Sequence, residues 1–403
     1  MSERKRLDTY VELAQRMIAD EDDDSSDSSF DLNVDLSSES TDSSTDTVDM
    51  VVDAVVQYRK KIYGQVFDPS IDFGAQKLLV DDLDEASCIN DFRFRKEHIQ
   101  EIADRLWPKL SLFLEGDKIK IKVKHRYTVP YETGILLVLY RMAKPRCIRP
   151  DMEKYFKMRK SHISSAINTF VDALYEVARP YLSDPAIFQQ RFQYYSDLIF
   201  AKCGAVQGIW GFIDGTLRKT CRPSHFQRLA YSGHKRCHGI KFQSVVTPDG
   251  LIALLFGPIP GSRHDSFMLG QSGLLQQLRD LMPINGIGIY SLYGDPAYPQ
   301  SQYIFGGFRH PQPGSQEAQW NTTLSKVREV VEWGFKEIIT QWSYLDFRAR
   351  MKIFECPIAK YYTIGAFLCN LRNCCYGSQT SAYFECHDHN GKLNMEQYLN
   401  LVP

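Results

Sequence analysis

Long apolar runs are missing from this chain, and no stretch of 18 residues is apolar enough to span a bilayer. Nothing near the N-terminus resembles the apolar core of a signal peptide. Neither a membrane protein nor an exported one is expected. The ten cysteines have no disulfide-like rhythm, which fits a reducing compartment and free thiols. The nucleus is the expected location, with the cytoplasm second. Cys374-Cys375 and the run Cys386-His387-Asp388-His389 invite zinc, but the paired spacings of a tetrahedral site are lacking. Buried or incidental thiols are expected there instead.

Positive charge is absent from one whole segment. From Asp20 to Asp53 there are thirteen acidic residues and no Lys or Arg. The chain totals −1 and residues 1–19 carry +1, so residues 54–403 hold +11. The near-neutral total hides an acidic tail joined to a basic body, and a basic body suits a polyanion. The tail is rich in Asp, Ser and Thr and poor in apolar residues. It cannot bury enough surface to offset its ordering entropy, so residues 1–53 are expected to be disordered, with a short amphipathic helix open to residues 1–19.

What is present is a body able to fold, 43% hydrophobic and 12% aromatic. Residues 54–200 read as mainly helical. Phe92, Phe94, Ile99, Ile102, Leu106 and Leu110 trace one face, with an interruption expected at Pro108. Residues 117–129 alternate Lys with Ile or Val, the pattern of a half-buried strand with a basic face. Residues 131–180 follow a helix-turn-helix plan. Ser161 is expected to cap a helix from His162 to about Val177. Lys160, His162, Ser164, Ser165 and Asn168 would then face outward toward DNA. An ordinary packing element is the other reading.

From Trp210 the pattern changes to strands. Ile209–Ile213 is an apolar run ending at Asp214-Gly215-Thr216. Ile240–Val246 and Leu251–Phe256 flank Thr247-Pro248-Asp249-Gly250, a strong hairpin signal. Gly286–Tyr293 is a further strand, ending at Gly294-Asp295. Helices are expected over Ser325–Thr340 and about Pro357–Cys375. The order strand, strand, strand, helix, strand, helices is that of an RNase H-like α/β domain, placed at 205–380, with a C-terminal tail over 381–403.

Asp214 and Asp295 each close a predicted strand, where binding residues of α/β sheets gather. If those strands are neighbours, the two carboxylates lie side by side. Glu332 lies on the following helix, three residues after Glu329 and four after Arg328. Carboxylates that converge repel one another, and a hard divalent cation is their natural partner. Singly, each has a plainer reading, as a turn Asp or a solvated helical Glu.

Four short motifs stand in order: GFIDGT (211–216), GPIPGSRHDS (257–266), YGDPAYP (293–299) and WN…LSKVREVVEWGF (320–335). With them the stretch from Trp210 to Leu345 resembles the PIF/Harbinger-type DDE transposases and their domesticated relatives. The resemblance implies an RNase H-like nuclease fold and cut-and-paste DNA chemistry with Mg²⁺ or Mn²⁺. It implies Asp214, Asp295 and Glu332 as catalytic metal ligands, preferring Glu332 to Glu329. It also marks His264 and Asp265 as supporting residues that orient a ligand or position DNA; for Asp265 a helix cap is the plainer role. DNA is the implied partner, and relatives often work with a separate Myb-like DNA-binding protein; a homo-oligomer is a further candidate. The chain departs from its relatives at Leu217, where many have His, and at Gly334-Phe335-Lys336-Glu337, which is less basic. The alternative expectation is a domesticated, non-catalytic DNA-binding or regulatory protein on the same fold. An interaction role for the acidic tail and a metal-dependent RNase are further readings.

Overall fold

The computed structural model describes residues 71–402 except 75, 124–126, 146–147, 205, 283–287, 297, 347–350 and 387–390. The acidic tail and the expected helix at 1–19 lie outside the described residues. The chain divides into two compact units, residues 1–76 with 147–160, and residues 77–146 with 161–403. The helical segments 77–146 and 161–204 thus belong to the same unit as the sheet. The smaller unit holds a helical turn at Ile148–Met152 and a short helix at Glu153–Phe156. There the Glu153 carboxylate accepts the Lys160 backbone N–H at 2.6 Å.

The larger unit opens with α1 (Lys96–Leu110), which buries Ile99, Ile102, Leu106 and Leu110 as their spacing predicts. It runs through Pro108 rather than breaking there. Only two helical residues follow the proline, so little of the helix depends on the hydrogen bond it removes. The expected single basic strand is instead a hairpin of β1 (Ile121–Val123) and β2 (Tyr127–Val129). Ile121 and Val123 point inward and Lys122 outward, so the alternation holds. Its basic face is partly neutralised, since Lys118 pairs with Asp104 at 2.9 Å and Lys122 with Glu115 at 2.8 Å. Next come α2 (Tyr131–Ala143), α3 (Lys160–Ala178) and α4 (Phe192–Cys203). Ser161 lies inside α3 rather than capping it.

Then come β3 (Ile209–Lys219), β4 (Tyr231–Ser232), β5 (Cys237–Val246) and β6 (Ile252–Pro260), followed by α5 (Asp265–Ser272) and α6 (Leu274–Leu281). After β7 (Ser291–Tyr293) and β8 (Ile304–Phe305) come α7 (Gln316–Gln341) and α8 (Ile358–Tyr376). The result is a mixed α/β architecture with a mixed sheet in the order β4-β5-β3-β7-β8, with β6 also on β5. Helix α7 starts earlier than its apolar period indicates because the Ser315 side chain caps it by accepting the Ala318 N–H.

The β5–β6 turn is anchored from below. Gly250 takes φ 81°, open to glycine at low cost. The Asp249 carboxylate is fully buried, accepting from the Tyr195 hydroxyl at 2.7 Å and from Arg191 at 3.2 Å. On α8, Asn373 donates to the Asp249 carbonyl at 2.8 Å, and Asn370 both accepts from and donates to the Ile252 backbone. The expected C-terminal tail is in fact part of the core. Tyr398 is fully buried against Asn370, and the Leu399 carbonyl accepts from Tyr181 at 2.7 Å.

Asp249→Ala would remove the carboxylate that pairs with the part-buried Arg191 and accepts from the buried Tyr195 hydroxyl, a change that costs up to about 3–5 kcal/mol. Urea unfolding of the variant checks this; a loss below about 1 kcal/mol would show that Arg191 finds other compensation.

Candidate active site

The central strand β3 has two different neighbours. It runs parallel to β7 through Phe212, opposite Tyr293, and antiparallel to β5 from Phe212 to Lys219. Asp214 follows Phe212 by two residues, as Asp295 follows Tyr293. The two aspartates thus lie at the same end of the β3–β7 ladder, near enough for Asp295 to act electrostatically on Asp214. Asp214 is thus inside a long strand rather than at its end, because β5 continues the pairing that β7 gives up.

Asp265 completes the acidic group. It is the first residue of α5, with the exposed His264 before it, and caps nothing. Its carboxylate instead accepts from Lys241 Nζ at 2.9 Å. Gly215 makes this approach possible: a Cβ there would lie 2.9 Å from Asp265 Oδ1 and from the end of Met268.

Burial pushes the Asp214 carboxyl up to about 6. Asp295 and Asp265 push in the same direction, against the Gly215 N–H, which donates at 2.8 Å, and Arg328. Arg328 reaches Asp214 from α7 at 3.2 Å. Two hydroxyls nearby are buried without a partner among the described residues. Tyr298, from the YGDPAYP motif, feels all three carboxylates, and burial holds its phenol well above the usual range. Ser244 pairs with Asp214 across the β3–β5 ladder, which places both on one face.

Glu332 is not brought into this group. It is exposed on α7, four residues after Arg328 and about 40° from it around the helix axis. Among the described residues no three His, Cys, Asp or Glu side chains converge closely enough to hold a metal ion. The group is compensated instead by Arg328 and Lys241. Glu337 lies nine residues after Arg328, about half a turn around the helix. It is tucked toward Arg372 of α8, and burial pushes it to about 7. Its charge therefore lies away from the Arg328 face.

The motif Asn321 accepts the Phe308 N–H and donates to the Phe308 carbonyl, both at 2.8 Å, tying the loop after β8 to α7. Residues 213–370 match the family model described as DDE superfamily endonuclease. The matched stretch holds Asp214, Asp265, Asp295, Arg328 and Glu332 together. No curated protein and no solved structure matches the chain.

The expected DNA-facing residues of α3 are mixed. Asn168 is exposed and Ser164 half-buried, but Ser165 is buried although it lies about 160° around the helix from Ile163. His162 stacks on Tyr127 of β2, with ring centroids 3.8 Å apart. Lys160 is half-buried. Of the Cys/His cluster, 387–390 lie outside the described residues, and Cys386 meets the Tyr194 hydroxyl at 3.2 Å. Sequence reading missed Lys241 and Tyr298. The signal for Tyr298 was a tyrosine inside a motif already chosen for its aspartate. Lys241 had none, because only the fold brings it to Asp265.

The raised Asp214 carboxyl makes the native site hold a proton that the unfolded chain, near 3.8, releases. Stability is therefore lost as pH rises from about 4 to about 6. Metal-free Asp214→Asn should gain about 1–3 kcal/mol at pH 7, the gain fading as pH falls through that window. Urea unfolding at several pH values reads this; a gain independent of pH would contradict the electrostatic origin.

Proposed function

We propose that this protein is a divalent-metal-dependent DNA nuclease of the transposase type, built on an RNase H-like core and of the Harbinger subtype. The observation that supports the proposal is that the parallel β3–β7 ladder ends at Phe212 and Tyr293, two residues before Asp214 and Asp295, and that Asp295 acts electrostatically on Asp214, within a stretch matching endonucleases of the DDE superfamily. The donor set fits a hard cation. It offers carboxylate oxygens, one of them desolvated and driven toward protonation by its neighbours, beside two orphaned hydroxyls.

Asp214 and Asp295 would hold Mg²⁺ or Mn²⁺; Glu332, exposed on the face of α7 that also carries Arg328, would have to turn inward to serve as the third ligand. When bound, such cations activate a water or 3′-hydroxyl and stabilise the leaving oxygen in phosphodiester displacement. The chain's own residues prepare the site. The Gly215 N–H fixes one Asp214 oxygen, Arg328 holds the other, and Lys241 keeps Asp265 over Gly215. Tyr298 and Ser244 offer free hydroxyls to the first polar group that enters. DNA is the proposed substrate and the nucleus the proposed location, with a Myb-like protein or a second copy of the chain as further partners.

One observation favours a second reading, a non-catalytic DNA-binding protein on the same fold: Arg328 and Lys241 already neutralise two carboxylates of the group. Cleavage of labelled duplex DNA with Mn²⁺ separates the two. The nuclease reading expects nicking by the wild type and a loss of at least about 100-fold in Asp214→Ala and Asp295→Ala. Equal cleavage by wild type and variants would sink the assignment, and tight binding without cleavage would favour the second reading.

A further inference from the structure

Between Asp214 and Asp265 the chain carries eight Lys or Arg residues and a single acidic one, Asp249. The Asp249 side chain is fully buried and paired with Arg191, so it offers no charge to the surface. Much of the positive charge falls on the connection between β3 and β5, residues 221–236. Arg222, Arg228, Lys235 and Arg236 are all exposed there.

The same connection exposes aromatic rings. Phe226 is 67% exposed and Phe354, from the loop before α8, is 71% exposed. The two rings meet edge to face with centroids 6.0 Å apart. A backbone bond from Cys221 to the Met351 carbonyl at 3.0 Å ties their two segments together. Two phenylalanines this exposed lose apolar burial that a folded chain ordinarily recovers, and exposed apolar surface of this kind marks contact sites.

This surface adjoins the acidic group. The Leu229 carbonyl accepts the Ser262 N–H at 3.1 Å, and Gly261 lies so close to the Ala230 carbonyl that a Cβ would meet it at 2.7 Å. Three residues beyond Ser262 is Asp265. The loop that delivers Asp265 to the site therefore rests on the basic, aromatic connection.

We infer that residues 221–236, with Phe354, form a docking surface for a nucleic-acid strand with unstacked bases, feeding it past the candidate active site. The choice of a nucleic acid rests on the proposed nuclease function. Exposed cations complement a phosphate backbone, and exposed rings complement bases, which stack on aromatic side chains regardless of sequence. An intact duplex has no free base faces for these rings, so the surface selects a single strand or a duplex opened at the reacting bond. Charge alone would also attract the acidic segment 20–53; the rings distinguish the two occupants.

The test is fluorescence anisotropy with the full-length protein in EDTA, so that binding is read without cleavage. The probes are labelled single-stranded DNA, single-stranded RNA of the same sequence, and the corresponding blunt duplex. Phe226→Ala/Phe354→Ala should weaken single-strand binding about tenfold and leave duplex binding within about twofold. Phe226→Leu/Phe354→Leu keeps the apolar contact and should show the same selective loss, with thermal melts confirming that both variants fold. Arg228→Gln should weaken all probes and flatten the salt dependence on single strands by about 0.7 of a log unit per log unit. The strand that loses more, DNA or RNA, assigns the sugar. Unchanged single-strand affinity in both double variants, or an equal loss on duplex and single strand, overturns the proposal. Ring-dependent strand binding without Mn²⁺-dependent cleavage would sink the nuclease reading and leave the surface standing. Cleavage with ring-independent binding would sink the surface alone.

Discussion

The site depends on β3 having one partner along its first part and another along its second. Up to Phe212 it is held on the β7 side by a parallel ladder, and from Phe212 onward by the antiparallel ladder with β5. Where the first ladder stops, the sheet opens beside Asp214. The equal spacing from Phe212 and Tyr293 then brings Asp295 to the same opening. The close contacts around it follow from glycines: Gly215 admits Asp265 and Met268, and Gly294 admits Tyr298 beside Ile213.

Asp295 and Asp265 both oppose the charging of the buried Asp214, so the group needs positive charge nearby. In the protein alone that charge comes from Arg328 on α7 and Lys241 on β5. Both side chains are largely buried, and pairing offsets the desolvation that burial imposes on the acids. The same pairs make the site responsive, because a divalent cation would compete with Arg328 for Asp214. The position of α7 therefore matters to the chemistry. Asn321 fixes its first turns to the loop after β8, and Gly334 lets it come within contact distance of Val246 on β5.

Much of this was legible in the sequence. Alternation and apolar runs located β3, β5, β6 and the α7 and α8 helices, because each buries a face whose period shows in the residues. Asp214 and Asp295 could be singled out because both follow apolar runs and precede turn residues. What stayed hidden depends on residues far apart in sequence. The Ser165 side chain faces inward although serine is polar, and Tyr398 belongs to the core although it lies in a short segment after the last long helix. Lys241 meets Asp265 only through the register of the β5–β6 hairpin. Glu337 made its stretch look less basic, yet its carboxylate is largely buried and within electrostatic reach of Arg372 of α8. The family resemblance pointed to Glu332, while the fold presents Arg328 to Asp214 one turn earlier on the same helix.

The central claim is that Asp214 and Asp295 form one cation site, from which Arg328 must withdraw. A crystal structure of the full chain grown with Mn²⁺ and measured for anomalous scattering addresses it directly. Anomalous density between the two carboxylates, with Arg328 moved off Asp214, is the expected result. Density absent there, with Arg328 still bonded to Asp214 at saturating Mn²⁺, would contradict it.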